Sequence, residues 1–550
     1  MNSLVLPKMI FPMPLITKST KTIIFFGLFL FLSSVAACSS SNETTSEQTY
    51  NQSTQTEMPT ATPPLSPPEQ GTIRVASIGA APHNDVHRLT NEWMVLHGPA
   101  LAYSRLLKFE TSELDMKVEC DLCSRWRWID ELTLEFEIDG RAKWQDGENF
   151  ATRPVSAQDV VFSLERLRTK GFPHSSLLDS VDEIIVISDE VLQITLHSAD
   201  SDFLQNLASP YAVIMAPDAI GSDVLIAPPT GSGPWRWSQG DSGQVNLEAW
   251  ALHHRNGIPA VEMIEMIPVS DLSTGASLLK LGLVDIAQIE PSSDSIINGD
   301  SIKLVEVPRQ GLGSILIFNQ DREPFNEIDV RRVFLRSIEP WDALTSSFIK
   351  GRVGIGIPLT TLAWELEHDV FSSYFKKNDQ PVMLANNIEP VTLLVANFGE
   401  KHVMLGENIS KQLQDSGLSV VLEVVSRREY FQRGWNDRDF DLLIGPVPPS
   451  HTTNDFLYGL IHSEGEQNIT GYKNSEMDRL IESQSKEMDA DLRNHILQKI
   501  QKMLMDDAVL FMPVITTELW GFGPRVKGFN PSMPMGSGDF WSTVTLVENP

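Results

Sequence analysis

Gly140-Arg141-Ala142-Lys143-Trp144-Gln145-Asp146-Gly147, followed after a short link by Val155-Ser156-Ala157-Gln158-Asp159-Val160-Val161-Phe162-Ser163-Leu164-Glu165-Arg166, is the stretch on which the reading of this chain turns. Asp146-Gly147 is a turn pair. Ser156 with Asp159 has the spacing of a capping box, and Val160, Leu164 and Leu167 then fall on one face of a helix. On the N-terminal side, Leu132, Leu134, Phe136 and Ile138 interleave with Thr133, Glu135 and Glu137; on the C-terminal side, Leu192, Ile194 and Leu196 interleave with Gln193 and Thr195. Alternation of period two predicts half-buried antiparallel strands, so a capped helix is expected between them.

Further along, the pattern changes. Val391 to Ala396 is a continuous apolar strand, Leu405, Ile409 and Leu413 mark a helix closed by Gly417, and Leu418 to Val425 is a strand again. Strand, helix and strand with short links predict a right-handed parallel unit. Ser475 with Asp478 suggests another helix cap, and Leu492, Ile496, Ile500 and Leu504 suggest a further helix. No internal repeat is visible.

Several short motifs complete the set. Thr230-Gly231-Ser232-Gly233-Pro234-Trp235 is a tight turn too short to cradle phosphate; Phe318-Asn319 precedes Pro324-Phe325 and Asp329-Val330-Arg331-Arg332; Phe440-Asp441-Leu442-Leu443 and Gly471-Tyr472-Lys473-Asn474-Ser475-Glu476-Met477-Asp478 come later in the chain. Taken in order from about Gly71 to Phe529, these stretches resemble the family 5 bacterial extracellular solute-binding proteins, the peptide and nickel receptors of ABC importers. The resemblance implies an α/β fold of the periplasmic-binding-protein-like class II (cluster C) type, with two large lobes about a hinge and a smaller inserted lobe. It places lobe I at about 71–103, 228–312 and 516–550, the inserted lobe II at about 104–227 and lobe III at about 313–515. Hinge closure around a buried solute is the mechanism expected of such a fold.

The resemblance also suggests where a ligand would sit, and there the chain departs from the pattern. Peptide-binding members resemble one another in a Gly-Trp and a later acidic residue that receive the peptide's ammonium. This chain reads Ile444-Gly445-Pro446-Val447-Pro448-Pro449-Ser450-His451-Thr452-Thr453-Asn454-Asp455, so the tryptophan position holds Pro446 and the acid falls near Pro449 or Ser450. A buried ammonium without a paired carboxylate is strongly disfavoured, which argues against a simple peptide ligand. Ligand-binding candidates are Trp235 beside the glycine turn, Asn319, Ser450, His451, Asn454 and Asp455, the last of which could instead cap a helix.

N-terminal to all this lies a leader. Lys8, Lys18 and Lys21 precede the apolar run Ile23 to Leu32, and Val35-Ala36-Ala37-Cys38 resembles a lipobox. The run is far short of the roughly 20 apolar residues of a spanning helix. Residues 1–37 are therefore expected to be a lipoprotein signal peptide and Cys38 the lipidated residue. From Ser39 to Gln70 the chain is rich in Ser, Thr, Asn, Gln and Pro and cannot bury enough surface to fold. As a tether over 38–70 it reaches roughly 30 Å, with the solute-binding domain occupying 71–550.

Composition bounds the rest. Forty-three basic against 72 acidic residues leave a formal charge of -29, which argues against nucleic-acid partners and against direct adhesion to anionic lipid. Beyond Cys38 the only cysteines are Cys120 and Cys123, without the second pair a zinc ribbon needs; an exported chain would hold them as a short-loop disulfide or as inert thiols. No His-Glu-x-x-His, phosphate loop or Gly-x-Ser-x-Gly elbow occurs, so neither catalysis, a metal nor a cofactor is expected. His253-His254, read as neighbours on a strand, would point to opposite faces and share no metal.

The reading is a monomeric lipoprotein at the extracytoplasmic face of a bacterial membrane, delivering a small molecule or short peptide to ABC permease subunits with a cytoplasmic ATPase. The alternatives are a sensory or quality-control lipoprotein of the same fold, which a co-encoded permease and ATPase would argue against, and a secreted hydrolase, which a turnover assay would expose. Replacing Cys38→Ser is expected to release the protein from membranes; fractionation of cells expressing the variant checks it, and unchanged membrane retention would contradict lipidation at this residue.

Overall fold

Leu393 and Val395 pack into one hydrophobic cluster while Leu394 and Ala396 pack into another on the opposite side of the same strand. Coverage of both faces is why Leu393 to Ala396 reads as an unbroken apolar run. The computed structural model describes residues 71–110, 117–147, 150–220, 228–240, 242–290, 301–347, 350–354, 364–376, 389–446, 450, 452–531 and 537–547, with backbone alone at 308–312. The leader, Cys38, the tether, Pro448, Pro449 and His451 lie outside these residues.

The strands are β1 (Thr72–Ser77), β2 (Leu107–Phe109), β3 (Val118–Cys120), β4 (Cys123–Trp128), β5 (Thr133–Ile138), β6 (Val181–Val186), β7 (Val191–Leu196), β8 (Trp235–Gln239), β9 (Val245–Ala249), β10 (Met263–Pro268), β11 (Ile286–Ile289), β12 (Lys303–Phe318), β13 (Gly351–Gly354), β14 (Val391–Ala396), β15 (Val420–Val425), β16 (Leu442–Pro446), β17 (Leu510–Phe522), β18 (Val526–Lys527) and β19 (Thr545–Leu546). An 11-stranded sheet runs β15-β14-β16-β12-β17-β11-β1-β10-β9-β8, with β13 added on β17, and a 4-stranded sheet runs β4-β5-β7-β6.

The two longest strands, β12 and β17, pair antiparallel from Lys303↔Phe522 to Ile317↔Leu510, with a register shift between Pro308 and Gly313. They form a ribbon that joins two wings. On one wing β11 starts at Ile286↔Phe522 and ends at Ile289↔Leu519, so it runs from the end of the ribbon towards its middle, with β1 parallel to it. On the other, β16 starts at Leu442↔Phe318 and ends at Pro446↔Ser314, again running inwards, with β14 and β15 parallel to it. The carboxyl ends of both parallel sets thus converge on the irregular middle of the ribbon. That is where an open α/β sheet forms its crevice.

The 4-stranded sheet has its own core, which gathers Phe136, Trp144, Val160, Leu164, Leu192 and Ile194. The capping box over Ser156 and Asp159 is present on the helix Ala157–Leu167. Its carboxylate does more than cap, because Asp159 also accepts from Trp144 Nε1 at 3.1 Å and from both Arg153 Nη1 and Nη2, at 2.7 and 2.8 Å. Burial alone would raise the Asp159 carboxyl, but Arg153 together with the Ser156 and Trp144 hydrogen bonds outweighs it and holds the group below the usual carboxylate range. Gln145 then ties this core to the main sheet, donating to the carbonyls of Gly233 and Trp235 at 3.1 and 2.8 Å. The glycine turn is pressed so closely on the backbone of Ala102 that a Cβ on Gly231 would lie 1.8 Å from that carbonyl oxygen.

Three local expectations are corrected. The cap of the helix Ser475–Gln484 is Asn474, whose side chain accepts from the amides of Glu476 and Met477, because an Asx side chain one residue earlier reaches both orphan donors. In the helix Ala490–Asp506, Leu497, Ile500 and Leu504 are buried but Leu492 is 56% exposed, since the first turn overhangs the packed face. His253 and His254 lie in the turn between β9 and β10, not on a strand, and their rings sit side by side with centroids 4.5 Å apart. Cys120 and Cys123 are joined as a disulfide at the turn from β3 to β4. Among the described residues no helix is long and apolar enough to cross a membrane.

Two buried histidines make the fold acid-sensitive. Burial, then the Arg166 charge, pushes His87 down to about 4, although its Nε2 donates to the Val213 carbonyl at 2.9 Å; burial pushes His97 down to about 3. The folded values lie below the ordinary one, so the unfolded chain binds protons first. Their contribution is complete above about pH 6.5 and falls by about 1.4 kcal/mol per histidine for each unit below it, down to the folded value. The melting temperature is expected to drop between pH 6.5 and 4, and the variants His87→Gln and His97→Gln to flatten that slope in a thermal series.

Candidate functional site

The candidate site is the crevice at the middle of the β12–β17 ribbon. Its first wall forms at the end of β1. Ser77 is buried there, its Oγ accepts from Trp93 Nε1 at 3.1 Å and lies 3.2 Å from His97 Nδ1, and the His97 ring packs near Trp520 and Trp541. Burial in this aromatic box lowers the basicity of His97, and its contact with Ser77 braces the end of β1.

The opposite wall forms after β14 and β15. Residues 397–399 leave β14 and enter the helix Glu400–Asp415, whose first turn carries Lys401 and His402. Ser314 Oγ on β12 lies 3.1 Å from His402 Nδ1, and burial, then the charges of Arg427 and Lys401, hold that imidazole below its ordinary value. Arg427 stands over the Phe398 ring, 4.7 Å from its centroid, a cation–π contact that leaves the guanidinium edge exposed. Lys401 Nζ reaches across the crevice to Glu290 Oε2 at 3.0 Å, joining the residue after β11 to the opposite wall. Both groups are 41% exposed, so this pair registers the walls more than it stabilises them.

Gly445 and Pro446 end β16 between these walls. Tyr430 is fully buried, donates to the Pro446 carbonyl at 3.3 Å, and fills the space a side chain at 445 would need: a Cβ there would lie 2.3 Å from the ring. The glycine is required by that close approach.

The residues singled out from the sequence fall in different places. Trp235 is 1% exposed on β8 at the sheet edge, several strands from the ribbon, where it walls a small internal cavity with Arg105, Lys108, Asp121 and His253. Asn319 comes just after the outer end of β12; its Nδ2 donates to the Arg438 and Phe440 carbonyls at 3.1 and 2.9 Å and its Oδ1 accepts from the Asp321 amide, so its amide is engaged in a turn. Ser450 is half-buried on the segment after β16. Asp455 lies in the first turn of the helix Thr453–Phe456, its amide donating to Thr452 Oγ1 at 3.2 Å, which makes Thr452 the cap. Asn454 donates from its backbone to Asp202 and from its side chain to Asp200, and accepts from Gln484. The structure therefore groups Ser450, Asn454 and Asp455 after β16 and sets Trp235 and Asn319 apart. Sequence reasoning missed Ser77, Ser314, Phe398, His402 and Arg427; for Phe398 and His402 the signal was present, since they come directly after the apolar strand that begins the parallel unit, where such crevices open. Among the described residues no group of three or more His, Cys, Asp or Glu is arranged to hold a metal ion.

Two wings of parallel strands facing each other across a two-stranded ribbon define a two-lobed binding-protein fold of class II type. The model of the bacterial extracellular solute-binding proteins, family 5 middle, matches residues 117–468, and the chain belongs to that family. The probable D,D-dipeptide-binding periplasmic protein DdpA of Escherichia coli K12 is 23% identical over 478 residues, which is 80% of this chain and 88% of that one. Heme-binding protein A of Haemophilus influenzae is 21% identical, over 80% and 86% of the two chains. The solved structure of HbpA2 from Haemophilus parasuis superposes with a TM-score of 0.74 at 19% identity, covering 87% of this chain and all of that one. The family comprises extracellular solute-binding proteins, and its members include periplasmic and ABC-transporter substrate-binding proteins.

Gly445→Ala is expected to displace Tyr430 and break its bond to Pro446, at a cost of about 1–3 kcal/mol. Denaturant titration of the variant measures it, and a cost within error of zero would mean the ring is free to retreat.

Proposed function

We propose that this chain is the membrane-anchored receptor of an ABC importer and that it captures a polar solute lacking a mandatory free amino terminus. Convergence of the parallel strand ends on the middle of the ribbon carries the reading: it sets a crevice between units joined by two strands, a geometry suited to closure around a solute. The division into lobe I (about 71–103, 228–312 and 516–550), the inserted lobe II (about 104–227) and lobe III (about 313–515) belongs to this proposal, as do the lipid anchor at Cys38, the monomeric state and the contacts of Ser450, His451 and Asp455 with ligand.

The solute class rests on the chemistry of the segment after β16. Pro446, Pro448 and Pro449 supply neither charge nor a backbone donor, while Ser450, His451, Thr452 and Thr453 carry neutral polar groups suited to hydroxyls, amides or a carboxylate. On the same wing, Arg427 after β15 and Lys401 after β14 favour an acidic or strongly polar group. Relatives named for D,D-dipeptides and for heme differ in the chemistry they bind, which fits a common scaffold with a variable crevice. A free α-ammonium left unpaired in such a crevice costs several kcal/mol, or about a hundredfold or more in affinity.

Calorimetry with matched free and N-acetylated short peptides is expected to show no preference for the free amine, and mass spectrometry of material that co-purifies with the chain to give a solute without one. Tenfold tighter binding of the free peptide would mean that Asp455 or another acid has taken over the anchoring role. Recovery of a chemically altered solute would point to an enzyme.

A further inference from the structure

Beside the segment that follows β16, the core built on the 4-stranded sheet meets the core around β14 and β16 through a buried polar network. Asp202, at 1% side-chain exposure, accepts from Arg493 Nη2 at 2.5 Å, and Arg493, at 10%, also donates to the Ser201 carbonyl at 3.2 Å. Gln484 orients the guanidinium, its Oε1 accepting from Nε and Nη2 at 3.1 Å each, and passes its own amide to Asn454 Oδ1 at 2.7 Å. Asn454 closes the ring, its backbone donating to Asp202 Oδ2 at 2.9 Å and its Nδ2 to Asp200 Oδ1 at 3.2 Å. Two further bonds run beside it, from the Ser201 amide to the Ser485 carbonyl at 2.9 Å and from Ser201 Oγ to the Gln484 carbonyl at 3.0 Å. Ser180 holds Asp200 from its own side at 2.8 Å.

We infer that this network, centred on Arg493 and Asp202, is a latch between the inserted unit and the β14–β16 unit that sets how much of the protein is closed, and through that its affinity, without touching the solute. The inference rests on the reading that these units move relative to one another. Its physical basis is asymmetry: when the units part, both charges regain water, and when they dock, each charge is tolerated only because the other is in register. A buried ion pair of this kind contributes little net stability over an apolar pair of the same size, yet losing one member leaves an uncompensated charge that penalises only the docked state. Asn454, flagged from the sequence as a ligand contact, spends its backbone amide and both side-chain groups on the latch in this conformation. Arg493 and Asp202 are positioning residues: they act on the solute through the docked arrangement. A pair so far apart in sequence escapes any local motif.

The test reads the conformation of the unliganded full chain directly. Spin labels on cysteines introduced at the exposed positions Lys170 and Lys499 report the separation of the two units by pulsed dipolar spectroscopy. Two populations are expected, and Arg493→Met or Asp202→Asn should lower the ratio of the shorter-distance to the longer-distance population at least tenfold. The double variant Asp202→Leu with Arg493→Met, which removes both charges, should recover the ratio to within about threefold of the parent. Asn454→Ala, which leaves the ion pair intact, provides a milder variant and should lower the ratio about threefold; circular dichroism shows which variants are folded. If the parent shows both populations and the folded variants leave their ratio unchanged, or if the parent is wholly in the longer-distance population, the latch is overturned while the moving units stand. If one distance persists in every variant and is unmoved by the co-purified solute, the units do not move and the underlying reading fails with it.

Discussion

The antiparallel pairing of β12 with β17 is the constraint on which the architecture depends. Every backbone donor and acceptor along a buried strand needs a partner, and the two strands of the ribbon supply most of each other's partners, with the short β13 added on β17 from Gly351↔Thr516 to Gly354↔Met512. Its ends are free to recruit other strands, and they recruit different ones: β11 with β1 behind it at one end, β16 with β14 and β15 behind it at the other. Since the flanking strands at the two ends run inwards from opposite directions, their carboxyl ends must meet. The crevice is a consequence of strand direction before any side chain is chosen.

The motifs that carry the family resemblance prove to be structural couplings. Trp144, Arg153 and Ser156 converge on one carboxylate, Asp159, and Gln145 fastens the same segment to the glycine turn of the main sheet. Hydrogen bonds to a buried charge are worth about 1.5–3 kcal/mol each, and an unmade one costs as much, so a segment with several of them tolerates little change. The crevice walls are built the other way. Lys401 with Glu290, and Arg427 over Phe398, are part-exposed contacts whose loss costs little, which leaves that surface able to vary in chemistry while the couplings hold the frame.

Much of the local structure was legible because it answers to local physics. The capping box at Ser156, the buried stripe Leu405, Ile409 and Leu413, and the alternation of Leu134, Phe136 and Ile138 arise from periodicity and orphan amides, and each is found as read. The misplaced cap at Ser475 came from preferring a serine to the neighbouring asparagine, and the exposed Leu492 from extending an apolar stripe one turn past the packed surface. The site was less legible for a different reason. Trp235 and Asn319 stand beside conspicuous motifs, but those motifs hold the frame, whereas Ser314 and His402 are unremarkable in sequence and meet only because β12 passes under the start of the helix Glu400–Asp415.

What the sequence by itself determined is the local elements β5, β7, β14 and β15 with the helices beside them, the α/β class, the order of the motifs and the absence of familiar catalytic motifs, most of which depend on residues within a turn or two of each other. What only the tertiary structure decided is which strand ends face one another, that Glu290 meets Lys401, and that Asp202 meets Arg493. Those pairings depend on the register of two long strands and on the docking of separately packed cores. Neither leaves a periodic trace along the chain, because a contact between distant residues is set by the geometry of everything folded between them.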